Sequence, residues 1–312
     1  MNAALQRIVE TLGIPDIVAL LGEKLAPTDL QSLMLAVYAR QAAGRAPGDV
    51  LGDYERGRFF GASPLPWSGF AEWAVLAERA APDFEFLTLS PMTPLASCAS
   101  VASVQQDWSV ATARSGEVVS DPTNVLALEA ALRRRKAPAA APLHLATVQR
   151  VVRPQAYGDG KRLAHFSLFA LLSAGRDTGS HRLEAEMIGL HIDALIGTIR
   201  RFMASPLPLS LSYTIRTQSL ADARLEAIAA AAARHGVPVQ EDRERTAADG
   251  YYAGCCFHLW AEAENERLKL ADGGTVDWVG KLASNRKQRS FVSGCGVDRL
   301  IALRQQLADT AE

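Results

Sequence analysis

Two arginines, each expected where a strand ends, are the residues of this sequence best suited to hold an anion. Arg153 follows a segment in which apolar and polar residues alternate, and its guanidinium can form paired hydrogen bonds with a phosphate or a carboxylate. Arg299 follows Gly294 and Gly296, which predict a tight turn from a strand into a helix. Free N–H groups and the positive dipole end at that helix N-terminus predict an anion site beside Arg299.

Strands make up most of the elements that must position these arginines. The hydrophobic pattern predicts strands over residues 84–91, 207–215, 251–263 and 289–296, and a long hairpin over residues 143–175 with a basic tip. Helices are predicted over residues 124–136, 184–203 and 219–236, and the segment LKLADGG is predicted to end in a turn. Runs of strands with fewer helices predict an α+β fold around a mostly antiparallel sheet of six or seven strands.

Residues 1–80 differ from the rest of the chain and are predicted to form a helical N-terminal extension. Apolar residues recur there at helical spacing, with Asp29 as the expected N-cap of the second helix and Gly44 as its stop. Residues 46–69 carry glycine, proline and aromatic residues without clean periodicity, which predicts a packed irregular connector. No motif in this region carries chemistry.

Composition excludes several classes of protein. Of the 312 residues, 48% are hydrophobic and 21% are charged, so disorder is not the main state. The 33 Lys and Arg residues are balanced by 34 Asp and Glu residues, which argues against generic nucleic-acid binding. No apolar run approaches the roughly 20 residues that span a bilayer, and no secretion signal is expected. Four cysteines without Cys-x-x-Cys spacing favour free thiols and a cytoplasmic location.

The order of the motifs along the chain is more specific than any one of them. A proline-ended strand (FEFLTLSP), a hairpin with an arginine (LATVQRVVRPQ through HFSLF) and the segment SGCGVDRLIAL follow one another. This order resembles the three signature motifs of class II aminoacyl-tRNA synthetases. YYAGCCFHL and ADGGTVDWV are similar to DYYTGTVFE and GGRYDGL of histidyl-tRNA synthetase and its paralogue, the regulatory subunit of ATP phosphoribosyltransferase. The resemblance covers about residues 84 to 307.

The resemblance implies an α+β, class II synthetase-like core over residues 81–312, with helices flanking the sheet and no anticodon-binding domain. It also implies a nucleotide site in which Arg153 would hold the α-phosphate of ATP and Arg299 the γ-phosphate. The residues assigned to this site are Arg153, Arg162, Gly294, Gly296 and Arg299. ATP and Mg²⁺ are the implied cofactors, and no residue is assigned as a metal ligand.

The resemblance further implies a site for an amino acid. Asp121 and Thr123 match positions that meet its amino group, and Tyr251 and Tyr252 match a pair that lines its side chain. Gly273 and Gly274 match a turn that lies against substrate and adenine, and Leu168 and Leu172 fall near positions that line the substrate pocket.

Departures from the family pattern concern the substrate side of this site. The family segment REFHQFGVE supplies a Gln and a Glu to substrate and metal, whereas Leu168 and Leu172 stand near those positions here. The arginine of RGLDYYTG becomes Ala247, with Arg245 two residues upstream as a possible substitute. Each lost polar contact removes roughly 1–3 kcal/mol of charge-assisted binding.

Two functions follow from these comparisons. In the first, an ATP-dependent ligase activates a carboxylate, expected to be that of an amino acid, as an acyl-adenylate, and Arg153 and Arg299 stabilise charge on the phosphates. In the second, the chain is an inactive regulatory or scaffolding paralogue. A homodimer is expected from the first motif, with a carrier or an enzyme as a further possible partner. Recognition of an intact tRNA is not expected.

Three further features of the sequence have structural explanations beside functional ones. Cys98 is expected to be a buried thiol, and His258 a core or surface histidine rather than a ligand. The polar segment over residues 176–186 is either a capped loop or a cover for the substrate.

Overall fold

A computed structural model of the chain describes residues 3–155, 163–203, 206–215, 221–245, 251–262 and 267–311. Its strands are β1 (Glu85–Phe86), β2 (Met92–Pro94), β3 (Gly116–Val118), β4 (Leu143–Val152), β5 (His165–Arg176), β6 (Leu209–Ile215), β7 (Val239–Glu241), β8 (Cys255–Glu262), β9 (Arg267–Val276) and β10 (Gln288–Gly296). Eight of these form one sheet in the order β1-β4-β5-β10-β9-β8-β6-β7, and β2 pairs with β3 separately.

The main sheet is antiparallel except at its two edges, where β1 runs parallel to β4 and β7 runs parallel to β6. The predicted α+β fold with a mostly antiparallel sheet is therefore confirmed. The predicted number of strands is too low, because edge strands of two or three residues leave almost no periodic signal in the sequence. The strand predicted over residues 84–91 is likewise reduced to the two residues of β1.

Strand β9 shows the clearest difference from the sequence analysis. The turn expected at LKLADGG is wrong, because Gly273 and Gly274 lie inside β9 and pair with β10. A Cβ at Gly273 would lie 2.5 Å from Ser293 Cβ, and one at Gly274 would lie 2.5 Å from Tyr252 Cδ1. The two glycines therefore serve close packing on the two faces of the sheet rather than a change of chain direction.

The helices are α1 (Ala3–Leu12), α2 (Ile17–Ala19), α3 (Pro27–Ala43), α4 (Pro47–Arg56), α5 (Trp67–Ala80), α6 (Ser97–Ala102), α7 (Pro122–Lys136), α8 (Arg182–Phe202), α9 (Ala221–Arg234), α10 (Trp278–Leu282) and α11 (Val297–Ala311). Gly44 ends α3 as predicted, but Asp29 is not its N-cap, because proline at position 27 starts the helix two residues earlier. The irregular connector predicted over residues 46–69 is wrong, since α4 and the start of α5 occupy much of it. Among the described residues, none of these helices is both long and apolar enough to cross a bilayer.

The two faces of the sheet carry separate hydrophobic cores. On one face, here called the α8 face, α5, α8, α9 and α11 pack onto the strands around Trp73, Phe169 and Phe291, each at most 1% exposed. On the other face, called the α7 face, α6, α7 and α10 pack around Leu126, Leu172 and other apolar side chains. Full burial of such side chains contributes about 1.5–3 kcal/mol each. Because α7 and its neighbours cover only part of their face, space remains there for a pocket.

The helices before α5 contribute little to either core. No residue from 3 to 68 is buried, and apolar side chains such as Val18, Leu51 and Phe60 are more than half exposed. Helix α5 differs, because Trp73 and Ala77 are fully buried against α8 and the sheet. Burial of apolar surface therefore anchors residues 67–80 much more firmly than the helices before them.

Gly274→Ala is expected to destabilise the protein by about 1–3 kcal/mol or more, because the new methyl group overlaps the Tyr252 ring and the Cys255 carbonyl oxygen at 2.6 Å. Urea denaturation followed by far-UV circular dichroism measures the change. Gly48→Ala is the control: a Cβ there meets no atom within 4 Å, and alanine favours helix α4 by up to about 1 kcal/mol. Equal free energies of unfolding for both variants would contradict the proposed close packing of β9.

Candidate functional site

A pocket of about 200 Å³ opens on the α7 face, bounded by α6, the start of α7, the end of β4 and the segment before β8. Its charged, amide and phenolic side chains are Asp121, Asn124, Arg153, Tyr251, Tyr252 and Asp272. Four residues singled out from the sequence, at positions 121, 153, 251 and 252, thus come together although they are distant along the chain. The pocket combines hydrogen-bond acceptors with one guanidinium group.

Asp121 organises the start of α7. As the N-cap, its Oδ1 accepts hydrogen bonds from the backbone N–H of Thr123 at 3.0 Å and from the Thr123 hydroxyl at 2.7 Å. Its Oδ2 accepts a hydrogen bond from the Tyr251 hydroxyl at 3.0 Å. The helix predicted over residues 124–136 therefore begins two residues earlier than expected, at Pro122. The side chain of Asp121 stays 19% exposed, so its oxygens remain accessible from the pocket.

The adjacent tyrosines act as neutral hydrogen-bond donors. Burial and the nearby Asp121 carboxylate raise the pKa of Tyr251 well above its ordinary value, and burial and Asp272 do the same for Tyr252. The two rings pack edge to face at 4.8 Å between centroids, and Tyr251 packs in the same way on Trp278 at 5.0 Å. Both phenols therefore keep their protons at neutral pH and are held rigidly.

Arg153 provides the positive charge of the pocket. Its Nε donates a hydrogen bond to the Ser120 carbonyl oxygen at 2.8 Å, and its guanidinium lies over the Phe166 ring at 5.4 Å. Its Nη2 lies 3.8 Å from Asp121 Oδ2. Because the side chain is 24% exposed and lines the pocket, it can meet a carboxylate or phosphate there.

Asn124 is a pocket residue that sequence reasoning missed. The residue is 2% exposed, and its Oδ1 is buried without a hydrogen-bond partner in the described part of the chain. An unsatisfied buried acceptor costs about 1–3 kcal/mol. The sequence gives only a faint indication of the role of Asn124. It is a polar residue directly after Thr123, near the start of a helix in which the following residues Leu126 and Ala127 are buried.

Asp272 forms the opposite wall. Its Oδ1 accepts a hydrogen bond from the Tyr252 hydroxyl at 3.4 Å, and its Oδ2 lies 3.3 Å from Lys269 Nζ. Because Gly274 has no Cβ, the Tyr252 ring can lie directly against β9, and this contact places its hydroxyl beside Asp272. Gly274 therefore shapes the pocket through Tyr252.

The second predicted arginine lies at the same end of the sheet but outside the pocket lining. β4 and β10 both pair antiparallel with β5, so they run in the same direction, and Arg153 and Arg299 follow their ends. Arg299 Nη1 donates a hydrogen bond to the Lys269 carbonyl oxygen. Arg153 follows β4 and Arg299 lies in the first turn of α11, with β5 between β4 and β10, and of the two arginines Arg153 alone lines the pocket.

The change from strand to helix predicted at Gly294 and Gly296 occurs at the end of β10, since α11 begins directly after Gly296. Gly294 and Gly296 belong to β10, and neither has a positive φ. A Cβ at Gly294 would lie 2.7 Å from the Phe169 carbonyl oxygen. Close packing of the strands therefore explains why glycine occupies position 294. Asp298 lies in the first turn of α11, and burial raises its pKa. Its Oδ2 accepts the backbone N–H of Ser167 at 2.6 Å, so a carboxylate already lies at this helix N-terminus.

Three other predicted site residues lie away from the pocket lining or outside the described residues. Leu172 is fully buried in the core of the α7 face, and Leu168 is partly buried on β5 opposite Gly296. Arg162 lies outside the described residues.

The pocket lining offers two carboxylates, Asp121 and Asp272, as oxygen ligands for a metal ion. Among the described residues, no three His, Cys, Asp or Glu side chains are arranged to hold a metal ion. Asp121 and Asp272 are each engaged in two or more contacts, and Leu172 brings no oxygen ligand. Mg²⁺ prefers oxygen ligands in octahedral geometry.

Glu117 holds the segment that closes the pocket beside α6. Its carboxylate, 1% exposed, accepts hydrogen bonds from the backbone N–H groups of Ala96 at 2.9 Å and Cys98 at 3.0 Å, and from the Gln106 amide at 2.6 Å. Cys98 lines the pocket, is buried as predicted, and has its pKa raised chiefly by burial. A thiol in this state is a weak nucleophile.

The polar segment over residues 176–186 lies against the α8 face rather than over the pocket. Asp177 pairs with Arg289 at 2.6 Å, and Glu184 lies 3.4 Å from Arg224 of α9. Since Leu183 belongs to the core of the α8 face, these ion pairs anchor the start of α8.

Comparison with solved structures identifies the fold. The chain is similar to apo histidyl-tRNA synthetase from S. aureus, with a TM-score of 0.61 and 13% identity over 80% of this chain and 69% of that one. It is also similar to an ATP phosphoribosyltransferase regulatory subunit/histidyl-tRNA synthetase from Bacillus halodurans, with a TM-score of 0.57 and 14% identity over 78% of this chain and 81% of that one.

A third similar structure is a histidine–tRNA ligase subunit from Alicyclobacillus acidocaldarius, with a TM-score of 0.56 and 13% identity over 81% of this chain and 99% of that one. No protein-family model and no curated protein matches the sequence. The predicted resemblance to class II synthetases is therefore confirmed at the level of the fold, and identities this low carry no statement about activity.

Glu117→Gln is expected to lower the free energy of unfolding by about 2–3 kcal/mol, because an amide NH₂ would face the N–H donors of Ala96 and Cys98 and the negative charge would be lost. Glu55→Gln, on an exposed position of α4, is the control and is expected to change stability by less than about 0.5 kcal/mol. Chemical denaturation of both variants measures the difference. Equal stability would show that the carboxylate of Glu117 does not hold the α6 segment.

Proposed function

We propose that the pocket binds a free amino acid. The ammonium group would face the acceptor oxygens of Asn124 and Asp121, and the carboxylate would face the guanidinium of Arg153. A zwitterion of this kind matches the charges on the walls, since an ammonium donates three hydrogen bonds and a carboxylate accepts the paired donors of a guanidinium. The volume of about 200 Å³ suits a ligand of this size better than a complete nucleotide.

The buried oxygen of Asn124 is the observation that carries this proposal. Asn124 lines the pocket, its Oδ1 is a hydrogen-bond acceptor, and no described group of the protein satisfies this oxygen. The side chain next to it along the pocket wall is the carboxylate of Asp121, which adds a negative charge. A ligand with a positively charged donor satisfies both groups at once.

We propose that the bound amino acid regulates a partner rather than being activated. The polar groups expected for ATP chemistry are replaced or engaged: Leu172 is buried in the core, and Arg299 donates to a backbone carbonyl. One protein with this fold is an ATP phosphoribosyltransferase regulatory subunit/histidyl-tRNA synthetase. By analogy, an enzyme subunit would be the partner of this chain, which would itself form a homodimer in the cytoplasm.

The second candidate is the ATP-dependent ligase, favoured by the placement of Arg153 and Arg299 at the same end of the sheet. An amino acid held with its carboxylate beside Arg153 would attack the α-phosphorus of ATP, with pyrophosphate leaving as the acyl-adenylate forms. Both arginines would stabilise charge on the phosphates. The acyl acceptor would be an amine, a small molecule or a carrier protein rather than an intact tRNA.

Asn124→Leu is expected to weaken amino-acid binding by about tenfold or more while leaving the free protein as stable as before, or more stable, because leucine removes the unsatisfied oxygen. Isothermal titration calorimetry with a panel of amino acids measures the affinity. Gln41→Leu, on the exposed surface of α3, is the control and is expected to bind like the unaltered chain. Undiminished binding by Asn124→Leu would refute the assigned position of the ammonium group.

Pyrophosphate exchange separates the two candidate functions. The regulatory function predicts amino-acid binding without incorporation of labelled pyrophosphate into ATP for any amino acid tested. The ligase predicts exchange with the bound amino acid and its loss in Arg153→Ala, whose pocket lacks the guanidinium. Amino-acid-dependent exchange that Arg153→Ala abolishes would contradict the regulatory function.

A further inference from the structure

A second group of unsatisfied polar atoms lies on the α7 face next to the pocket. The Nε and Nη1 atoms of Arg245 and the Nδ1 atom of His258 are buried and have no hydrogen-bond partner within the described ranges. His258 is 7% exposed, and the guanidinium of Arg245 lies 5.6 Å from the centre of the Tyr252 ring. None of these atoms takes part in the contacts that form the amino-acid pocket.

The strand register places His258 close to the pocket wall. His258 on β8 is the cross-strand partner of Asp272 on β9, so the two side chains lie on the same face of the sheet. The His258 ring packs edge to face on Trp260 at 5.2 Å between centroids. Tyr252 contacts the pocket wall and Arg245 at the same time. Its hydroxyl donates a hydrogen bond to Asp272, and its ring lies under the guanidinium of Arg245. The phenol therefore separates the amino-acid pocket from the unsatisfied atoms.

Electrostatics in this region favour an additional negative group. Burial, Arg245 and Lys269 together lower the pKa of His258 to about 4, against the opposite effect of Asp272 and Asp242. Asp272 does not satisfy Arg245, because its two oxygens are directed to the Tyr252 hydroxyl and the Lys269 ammonium. Buried guanidinium N–H groups carry a large desolvation cost unless an acceptor meets them.

We propose that Arg245 and His258 form a binding site for a small oxyanion, a carboxylate or a phosphate, separated from the amino-acid pocket by the Tyr252 ring. Two N–H groups of the guanidinium would donate to the oxyanion, and His258 would donate from Nδ1 after taking up a proton. The site uses neither Asn124 nor Arg153, so binding of free phosphate there does not depend on the proposed amino-acid function, whereas binding of an amino acid's acidic side chain rests on it. The oxyanion comes from free phosphate or from the acidic side chain of a bound amino acid.

The test is calorimetric titration of the full chain with inorganic phosphate, L-glutamate and L-glutamine at constant ionic strength. Arg245→Gln is expected to weaken binding of the preferred oxyanion by about tenfold or more. Arg243→Gln is the matched control, because Arg243 is two residues away, 82% exposed and paired with Glu241, and a change of less than about twofold is expected. Equal weakening by both variants, or no saturable binding of either oxyanion, would overturn the proposal.

The source of the oxyanion is read from the same titrations. Phosphate binding that persists in Asn124→Leu indicates free phosphate as the ligand. A preference for glutamate over glutamine that is lost in both Arg245→Gln and Asn124→Leu indicates the side chain of a bound amino acid. Amino-acid binding without any preference for an oxyanion would leave the pocket assignment intact and refute the second site.

A spectroscopic measurement keeps the proposal testable should Arg245→Gln fold poorly. The pKa of His258, about 4 in the free protein, is expected to rise on saturation with the oxyanion, because a negative charge stabilises the imidazolium. Binding should therefore strengthen as the pH falls toward the raised pKa. Nuclear magnetic resonance of the His258 ring protons in the unaltered chain measures this, and an unchanged pKa at saturation would rule out contact with the ligand.

Discussion

The carboxylate of Asp121 is the group on which the architecture of the pocket depends. One oxygen caps α7 through Thr123, and the other accepts the Tyr251 hydroxyl and lies 3.8 Å from Arg153. A single side chain thus joins the start of a helix, the segment before β8 and the end of β4. The positive dipole end of α7 stabilises negative charge at this position. The side chain of Asp121 makes these contacts and still stays 19% exposed toward the pocket.

The two faces of the sheet differ in what they contribute to stability and to ligand recognition. The α8 face is covered by four helices and carries the larger core, whereas the α7 face is only partly covered and leaves a pocket beside its core. Gly274 contributes both to stability and to recognition. It lies on β9 between the paired strands β8 and β10, and its lack of a side chain lets Tyr252 approach β9. A synthetase-like fold is retained while Leu172 and Arg299 serve packing and backbone contacts. This combination supports the proposal that the pocket binds an amino acid without activating it.

Sequence reasoning reached the fold and part of the site for identifiable physical reasons. The strands β4, β5 and β8 and the helices α7, α8 and α9 could be placed from the pattern of apolar and polar residues. The order of the sequence motifs, which fall on β1, β4, β5, β8, β9, β10 and α11, carried the resemblance. The edge strand β1 could not be placed, because its two residues leave almost no periodic signal. The role of the glycines in β9 and β10 could not be assigned, because close packing and turns both select glycine. Asn124 was missed because its importance comes from an unmet hydrogen bond, which exists only once the chain is folded. The partner of Arg299 likewise depends on the register of β9.

A crystal structure of the chain grown with the amino acid that binds most tightly tests the central claim most directly. The account predicts electron density for that amino acid in the α7-face pocket, with its ammonium group within hydrogen-bond distance of Asn124 Oδ1 and its carboxylate within reach of Arg153. Density for the ligand elsewhere on the molecule, or an ammonium group directed away from Asn124 and Asp121, would contradict it.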